Sequence, residues 1–321
     1  DYDDSAWAAA RVGMEGAAKG ARDYPGRLLV PTPIPPMEYA EDRFSRVRQS
    51  ENARIPDAFP RSAASITVPA RTKARILLDN DSLTTAYLSL LFSGGRRSQI
   101  TVAYAAALYM DTAPLSKGNR DEIEGKKFVG YEDIILPDGG SDRLFTSLWW
   151  RTWRYVQLTI ETKDEPLEIG DVYGTFTAYP FERASTFDAP GHPQLNRMLD
   201  IGWRTARLCA NETYMDCPYY EQLQYFGDTR IQALITLYNT RDRYMARNAI
   251  EQGRQSIVSD GITMSRYPSG IHQFISSFSL YWICMGHDYW RYRGEEEYLK
   301  TLLPAYRGVL SWYEGFLLSL I

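Results

Sequence analysis

Cysteine and histidine are scarce: three of each in 321 residues. Three cysteines exclude a disulfide scaffold. None of these six side chains falls into the paired short spacings of a zinc site, so neither a metal nor a cofactor is expected. Long apolar runs are missing too. No stretch reaches the ~18 apolar residues of a membrane-spanning helix. The acidic opening, Asp1 to Trp7, is not followed by a signal-peptide pattern. Charge of one sign is also absent: 36 Lys and Arg against 40 Asp and Glu leave a net −4. A phosphate-backbone binder would carry a basic balance or stripe, so nucleic acid is not an expected partner. Gly94-Gly95 and Gly139-Gly140 read as turns, since neither opens a helix as a phosphate loop must. What is abundant is aromatic: 23 Tyr, 12 Phe and 8 Trp. Large cores explain such an excess, and so do flat rings stacked on sugar faces. Composition alone leaves both readings open. The 44% hydrophobic and 24% charged residues exclude disorder of the whole chain.

Three textures follow one another. Residues 1–60 are irregular. Four prolines between Pro31 and Pro36 make a stiff, extended connector, and the region reads as the tail of something earlier plus a linker. Residues 61–187 read as β. Ser65–Val68, Ala74–Leu78, Ala86–Phe92, Ser98–Tyr109 and Val172–Tyr179 are candidate strands separated by turn signals. Arg154–Ile160 alternates cleanly, with Val156, Leu158 and Ile160 on one face. This pattern predicts an antiparallel sandwich, with Trp149, Trp150 and Trp153 as core or interface residues.

Residues 188–321 switch to a helical period. Pro193 suits a first helical position, and Leu195, Met198, Leu199, Gly202, Ala206 and Cys209 mark one face of that helix. Ile231, Leu234, Ile235 and Tyr238 mark a second helix, Tyr244–Ile257 a third, and Ser276–Tyr292, closed by Gly294, a fourth. A fifth opens at Glu295-Glu296-Glu297 and runs to about Leu318; its acidic start needs only the helix dipole. Successive helical hairpins predict an α/α toroid. Twelve helices close such a ring, on the order of 200 residues. With an apolar end at Phe316–Ile321, the chain reads as an internal piece holding part of the barrel.

The densest polar-aromatic stretch is Asp216-Cys217-Pro218-Tyr219-Tyr220-Glu221-Gln222-Leu223-Gln224-Tyr225-Phe226-Gly227-Asp228. Glycosidic cleavage needs an acid for the leaving oxygen and a second carboxylate for water or attack. Neighbouring rings desolvate an acid and form a sugar platform. On a single helix, Glu221 and Asp228 would stand about 10 Å apart along the axis, too far for an acid/base pair. The plainer reading is a helix start with Asp216 as N-cap. Cys217 has no histidine nearby in sequence and reads as a packed thiol.

This stretch resembles the signature of the inverting α-L-rhamnosidases of glycoside hydrolase family 78: Asp-Cys-Pro-x-Arg-Glu, an aromatic segment, then Gly-Asp. Leu148–Val156 resembles that family's Trp-Arg-x-x-Arg-Tyr strand. Leu195-Asn196 and Trp203-Arg204-Thr205 resemble its first barrel helix. Arg266-Tyr267-Pro268-Ser269 and Phe278–Trp282 resemble a segment between later helices, and Asp3–Trp7 the end of an accessory jelly roll. The resemblance implies an antiparallel β-sandwich followed by the first part of an (α/α)6 barrel. It implies Glu221 as general acid, Asp216 and Asp228 as ligands of the sugar hydroxyls, Tyr225 at a sugar-stacking position, and Phe278 on the pocket wall. Tyr220 is expected among the substrate-binding residues around the sugar, but it stands where the family has arginine and so cannot make that arginine's charge-assisted bonds. Ser276-Ser277 stand where members carry Pro or Pro-Asp. The family's general base comes from a later segment; Asp260 reads as a turn residue and Asp288 as a helix residue. The implied partner is a rhamnose-containing glycan or glycoside, handled by an exported bacterial protein. Two alternatives stay open: a sugar-binding scaffold on the same fold without turnover, and a glycosidase for another sugar.

Overall fold

A computed structural model describes residues 5–9, 16–18, 27–112 and 115–318. Asp3 and Asp4, compared above with an accessory domain, lie outside the described residues, as do residues 319–321. The strands in chain order are β1 (Gly16–Ala18), β2 (Arg27–Leu29), β3 (Glu38–Asp42), β4 (Arg46–Glu51), β5 (Ile66–Val68), β6 (Lys73–Gly94) and β7 (Gln99–Ala105). They continue with β8 (Asp111–Thr112), β9 (Leu115–Ser116), β10 (Tyr131–Ile135), β11 (Arg143–Thr146), β12 (Arg151–Glu161) and β13 (Leu167–Ala178). Nine of these form one antiparallel sheet with the path β10-β7-β12-β6-β13-β3, to which β4 and β11 add on β6 and β5 on β13.

Strand β6 organises this sheet. The sequence reads as two strands, Ala74–Leu78 and Ala86–Phe92, yet the 22 residues from Lys73 to Gly94 run without a break. Asp81 takes φ 61°, and the pairing with β12 skips residues there, from Thr84 to Asp79. The first half of β6 pairs with β4 and the second half with β13 and β11, so one strand serves two layers of the sandwich. The core lies between them, with Ile76, Leu78, Leu88, Leu90, Val156, Leu158 and Ile160 all at 0% exposure. Each such side chain contributes roughly 1.5–3 kcal/mol by leaving water. The carboxylate that bends the chain, Asp79, is buried and receives Arg48 at 2.8 Å, Arg46 at 3.1 Å and Arg154 at 3.2 Å. Trp153 fills the centre against Phe44 and Tyr104; Trp150 is buried and Trp149 half-exposed.

Part of the segment expected to be irregular belongs to the same sheet. Glu38–Asp42 pairs with β13 and Arg46–Glu51 with β6, and Phe44 and Phe59 lie in the sandwich core. Their polar, arginine-rich pattern hides the strands. Each lies on a polar edge of the sheet, so no apolar alternation marks it.

The helices are α1 (Pro193–Leu208), α2 (Phe226–Asn239), α3 (Tyr244–Gln255), α4 (Ser276–Arg293) and α5 (Glu296–Leu318). Pro193 is at the first turn of α1, and Gly294 closes α4 in the left-handed region at φ 70°. Their common core joins Phe226, Leu237, Met245, Ile250, Trp282 and Tyr306. The expected face of α1 is buried only at its C-terminal end, at Ala206 and Cys209, while Leu195, Met198 and Leu199 are exposed. The expected face of α2 is not the buried one: Ile231 and Tyr238 are exposed, while Ala233 and Leu237 are packed. Helices of a toroid are apolar on more than one side, and periodicity does not say which side the neighbours occupy. Five helices are described.

Candidate active site

The stretch 216–225 is a loop, not the start of a helix. Pro218 and the residue before it disfavour helix, and α2 begins only at Phe226 with Tyr225 as N-cap. Asp216 therefore does not cap a helix. It closes the loop on itself: its N–H donates to the Leu223 carbonyl at 2.9 Å, and its Oδ1 accepts the Leu223 N–H at 3.1 Å. Inside the loop Gln222 sits at φ 55°. The Glu221 N–H points to Cys217 Sγ at 3.4 Å. Burial, then a hydrogen bond to Asp216, pushes the Cys217 thiol up, which makes it a poor nucleophile.

The sandwich grips one flank of this loop. Thr152 Oγ1 donates to the Pro218 carbonyl at 2.6 Å, Tyr219 hydroxyl to the Tyr104 carbonyl at 2.8 Å, and Trp149 Nε1 to Gln222 Oε1 at 2.9 Å. Tyr219 also packs on Tyr131, and burial pushes its hydroxyl up to about 12. Gly130 makes room here, since a Cβ would stand 1.8 Å from the Tyr104 oxygen. Tyr220 turns to the sandwich as well. Its hydroxyl lies 2.9 Å from that of Tyr109 and accepts from Lys117 at 3.3 Å. The bond with Tyr109, then Lys117, holds the Tyr220 hydroxyl below the usual tyrosine range, whereas burial raises Tyr109.

The helical part holds the other flank. Tyr225 and Arg266 form an isolated antiparallel bridge. The Phe226 N–H donates to the Ser265 carbonyl at 2.9 Å and the Tyr267 N–H to the Gln224 carbonyl at 3.2 Å. Buried Gln224 ties the same strands: its amide donates to Gln252 at 2.6 Å and to the Tyr267 carbonyl at 2.8 Å, and accepts from the Tyr214 N–H. From this frame Arg266 Nη1 donates to the Tyr225 hydroxyl at 2.7 Å, which donates to Glu221 Oε2 at 2.6 Å. The guanidinium stands 3.8 Å from that carboxylate. The bond to Glu221 pushes the Tyr225 hydroxyl up. Phe278 meets Tyr225 edge to face at 6.4 Å and lies so close to Gly227 that a Cβ there would fall 2.6 Å from its ring.

Glu221, Tyr225 and Phe278 thus form one connected group with Arg266. Asp228 follows Gly227 in the first turn of α2, half-buried, with a side chain that makes no hydrogen bond or ion pair among the described residues. Asp216 braces the loop, and Tyr220 belongs to the sandwich contact. Asp288, on α4, is paired with Arg230 at 2.9 Å. Sequence reasoning gave Arg266 no chemical role. It lies 45 residues beyond Glu221, and no spacing rule links the two. Among the described residues no three His, Cys, Asp or Glu cluster as metal ligands would, and no helix is long and apolar enough to cross a membrane.

Residues 182–316 match the family described as the bacterial alpha-L-rhamnosidase 6 hairpin glycosidase domain. No curated protein matches the chain. Among solved structures, the chain is similar to a rhamnosidase from Klebsiella oxytoca with rhamnose bound, at 13% identity and a TM-score of 0.67 over 87% of this chain. It is similar to the Streptomyces avermitilis alpha-L-rhamnosidase complexed with L-rhamnose, at 16% identity and a TM-score of 0.67 over 92% of this chain. It is also similar to a family 78 rhamnosidase of Bacillus sp. GL1, at 21% identity and a TM-score of 0.64 over 75% of this chain. At these identities the structural likeness speaks for the fold. The chain spans 57%, 26% and 24% of those three proteins respectively.

Proposed function

We propose, on the premise that this chain belongs with the bacterial α-L-rhamnosidases of glycoside hydrolase family 78, that the protein carrying it hydrolyses terminal α-L-rhamnosyl residues with inversion. The observation that carries this reading is the group around Glu221. A half-exposed carboxylate is held at one oxygen by Tyr225, beside an aromatic wall and close in sequence to the unengaged Asp228. Glu221 is the general acid: it protonates the glycosidic oxygen as the bond to the anomeric carbon breaks. A carboxylate outside this chain takes a proton from water on the opposite face of the ring, and the oxygen of that water joins the anomeric carbon. Asp228 and Asp216 bind hydroxyls of the sugar. Tyr225 and Phe278 form its wall, and Tyr220 borders the site from the sandwich side. No cofactor enters these steps.

The division of the chain belongs to the same proposal: the end of an accessory β domain and a linker, then the sandwich, then the helical domain from about residue 188. Strands β3 and β4 go with the sandwich. So does the compartment, an exported bacterial protein acting on plant or bacterial glycans. The test is proton NMR of the full-length protein acting on an aryl α-L-rhamnoside. The reading expects β-L-rhamnose to appear first and to mutarotate afterwards. First appearance of the α-anomer contradicts inversion. Binding of the sugar with no release of the aryl alcohol supports a scaffold without turnover, and release from another glycoside alone supports a different sugar.

A further inference from the structure

We propose that Arg266 and Tyr225 are the positioning device of the acid: Arg266 orients the Tyr225 hydroxyl, and that hydroxyl fixes one carboxyl oxygen of Glu221 so that the other carries the proton. This rests on Glu221 being the general acid. The direction of each hydrogen bond is dictated by the groups themselves. A guanidinium has five donors and no acceptor, so at 2.7 Å it occupies a lone pair of the phenol oxygen. The single phenol hydrogen cannot point back at Arg266 and is left to Glu221 Oε2, 2.6 Å away. Oε2 therefore faces a donor, and a protonated Glu221 carries its hydrogen on Oε1. That choice of oxygen is what a general acid needs from its surroundings.

The device is anchored by backbone rather than by a long flexible arm. The bridge between Tyr225 and Arg266 is flanked by the Phe226–Ser265 and Tyr267–Gln224 hydrogen bonds. The Arg266 side chain is 13% exposed, and its guanidinium lies over the Tyr225 ring at 5.4 Å. When the reaction runs, the Oε1 proton goes to the leaving oxygen, which keeps the bonding electron pair, and the anomeric carbon takes its new oxygen from water. Glu221 is left as a carboxylate. Oε2 still accepts from Tyr225, and the guanidinium at 3.8 Å faces the new charge. Arg266 thus places a cation beside the acid from a distant segment, while Tyr220, next to the acid in sequence, is engaged with Tyr109 and Lys117.

The experiment compares two α-L-rhamnosides in the full-length protein, one with an alkyl or sugar leaving group that must be protonated and one with a dinitrophenyl group that need not be. Tyr225→Phe keeps the ring and removes only the hydroxyl. It is expected to lower kcat on the poor leaving group by roughly 10- to 100-fold. KM should stay within about twofold and the dinitrophenyl rate within about threefold, because that leaving group bypasses the acid. Arg266→Gln should repeat this split, and Arg266→Lys, which still donates to the phenol, should recover part of the rate. Equal losses on both substrates, a loss carried by KM, or an unaffected Tyr225→Phe overturns the proposal. Should Arg266→Gln fail to fold, Tyr225→Phe decides alone. Absence of turnover on both substrates by the unsubstituted protein overturns the function and this inference together; turnover without the split overturns only this inference.

Discussion

The sandwich closes its core with its own residues, while the helical part leaves apolar stripes open. Between the layers of the sheet, the aliphatic side chains are wholly buried, and its deepest charge, Asp79, is met by three arginines from β4 and β12. In the helical part, Met198 of α1 is 63% exposed and Ile231 of α2 64%. The difference teaches where each region finds its partners. The sandwich core is specified by contacts within it, whereas α1 and α2 each carry an exposed apolar stripe beside their packed face. The loop of Glu221 lies between the two. The sandwich fixes its path through backbone and side-chain hydrogen bonds and rings, and the helical part sets the carboxyl itself through a cation and a phenol.

The largest expected effect is in the closed region. Asp79→Ala leaves arginines facing a buried void and should cost about 3–5 kcal/mol in urea unfolding; a loss under about 1 kcal/mol would break the contrast. The same group has a pH signature. Burial works to raise its pKa, but hydrogen bonds from Arg48 and Arg154 win and lower it. A depressed carboxyl contributes stability that is present above its unfolded pKa of about 3.9 and is lost as pH falls through the folded value. Acid titration of stability should therefore lose a component below about pH 4 that Asp79→Asn lacks.

Next in size is the helical core. Gly253 lies against Trp282, and a Cβ would stand 2.4 Å from the indole ring. Gly253→Ala should cost about 1–3 kcal/mol by overpacking, read as a lowered Tm. A smaller effect belongs to the junction: Tyr220→Phe removes the bonds to Tyr109 and Lys117 and should cost about 0.5–1.5 kcal/mol. The smallest is on the open stripe. Met198→Lys should change the stability of this chain by less than about 0.5 kcal/mol; a loss of several kcal/mol would mean that α1 is packed after all.

Much of the fold is legible in the sequence where a local rule is at work. The alternation at Val156, Leu158 and Ile160 marks the buried face of β12, Pro193 marks the first turn of α1, and Gly294 the left-handed end of α4. Legibility fails where the cause is distant. Ala74–Leu78 and Ala86–Phe92 look like separate strands, because the arginines that let Asp79 be buried inside one continuous strand come from other strands. Strands β3 and β4 look like linker because they lie at polar positions of the sheet. In the candidate site, the stretch from Asp216 to Asp228 stands out by composition alone. What composition does not carry is direction: Tyr220 goes to the sandwich and Tyr225 to Glu221, and Arg266 reaches Tyr225 from 41 residues away.

The central claim is that Glu221 is the proton donor, and the most direct measurement is steady-state turnover by Glu221→Gln in the full-length protein on an alkyl α-L-rhamnoside, with rhamnose binding followed by calorimetry. Turnover should fall by roughly 10²–10⁴-fold while the Kd for rhamnose stays within about threefold. Near-unchanged turnover on that poor leaving group, with the same Kd, would contradict the account.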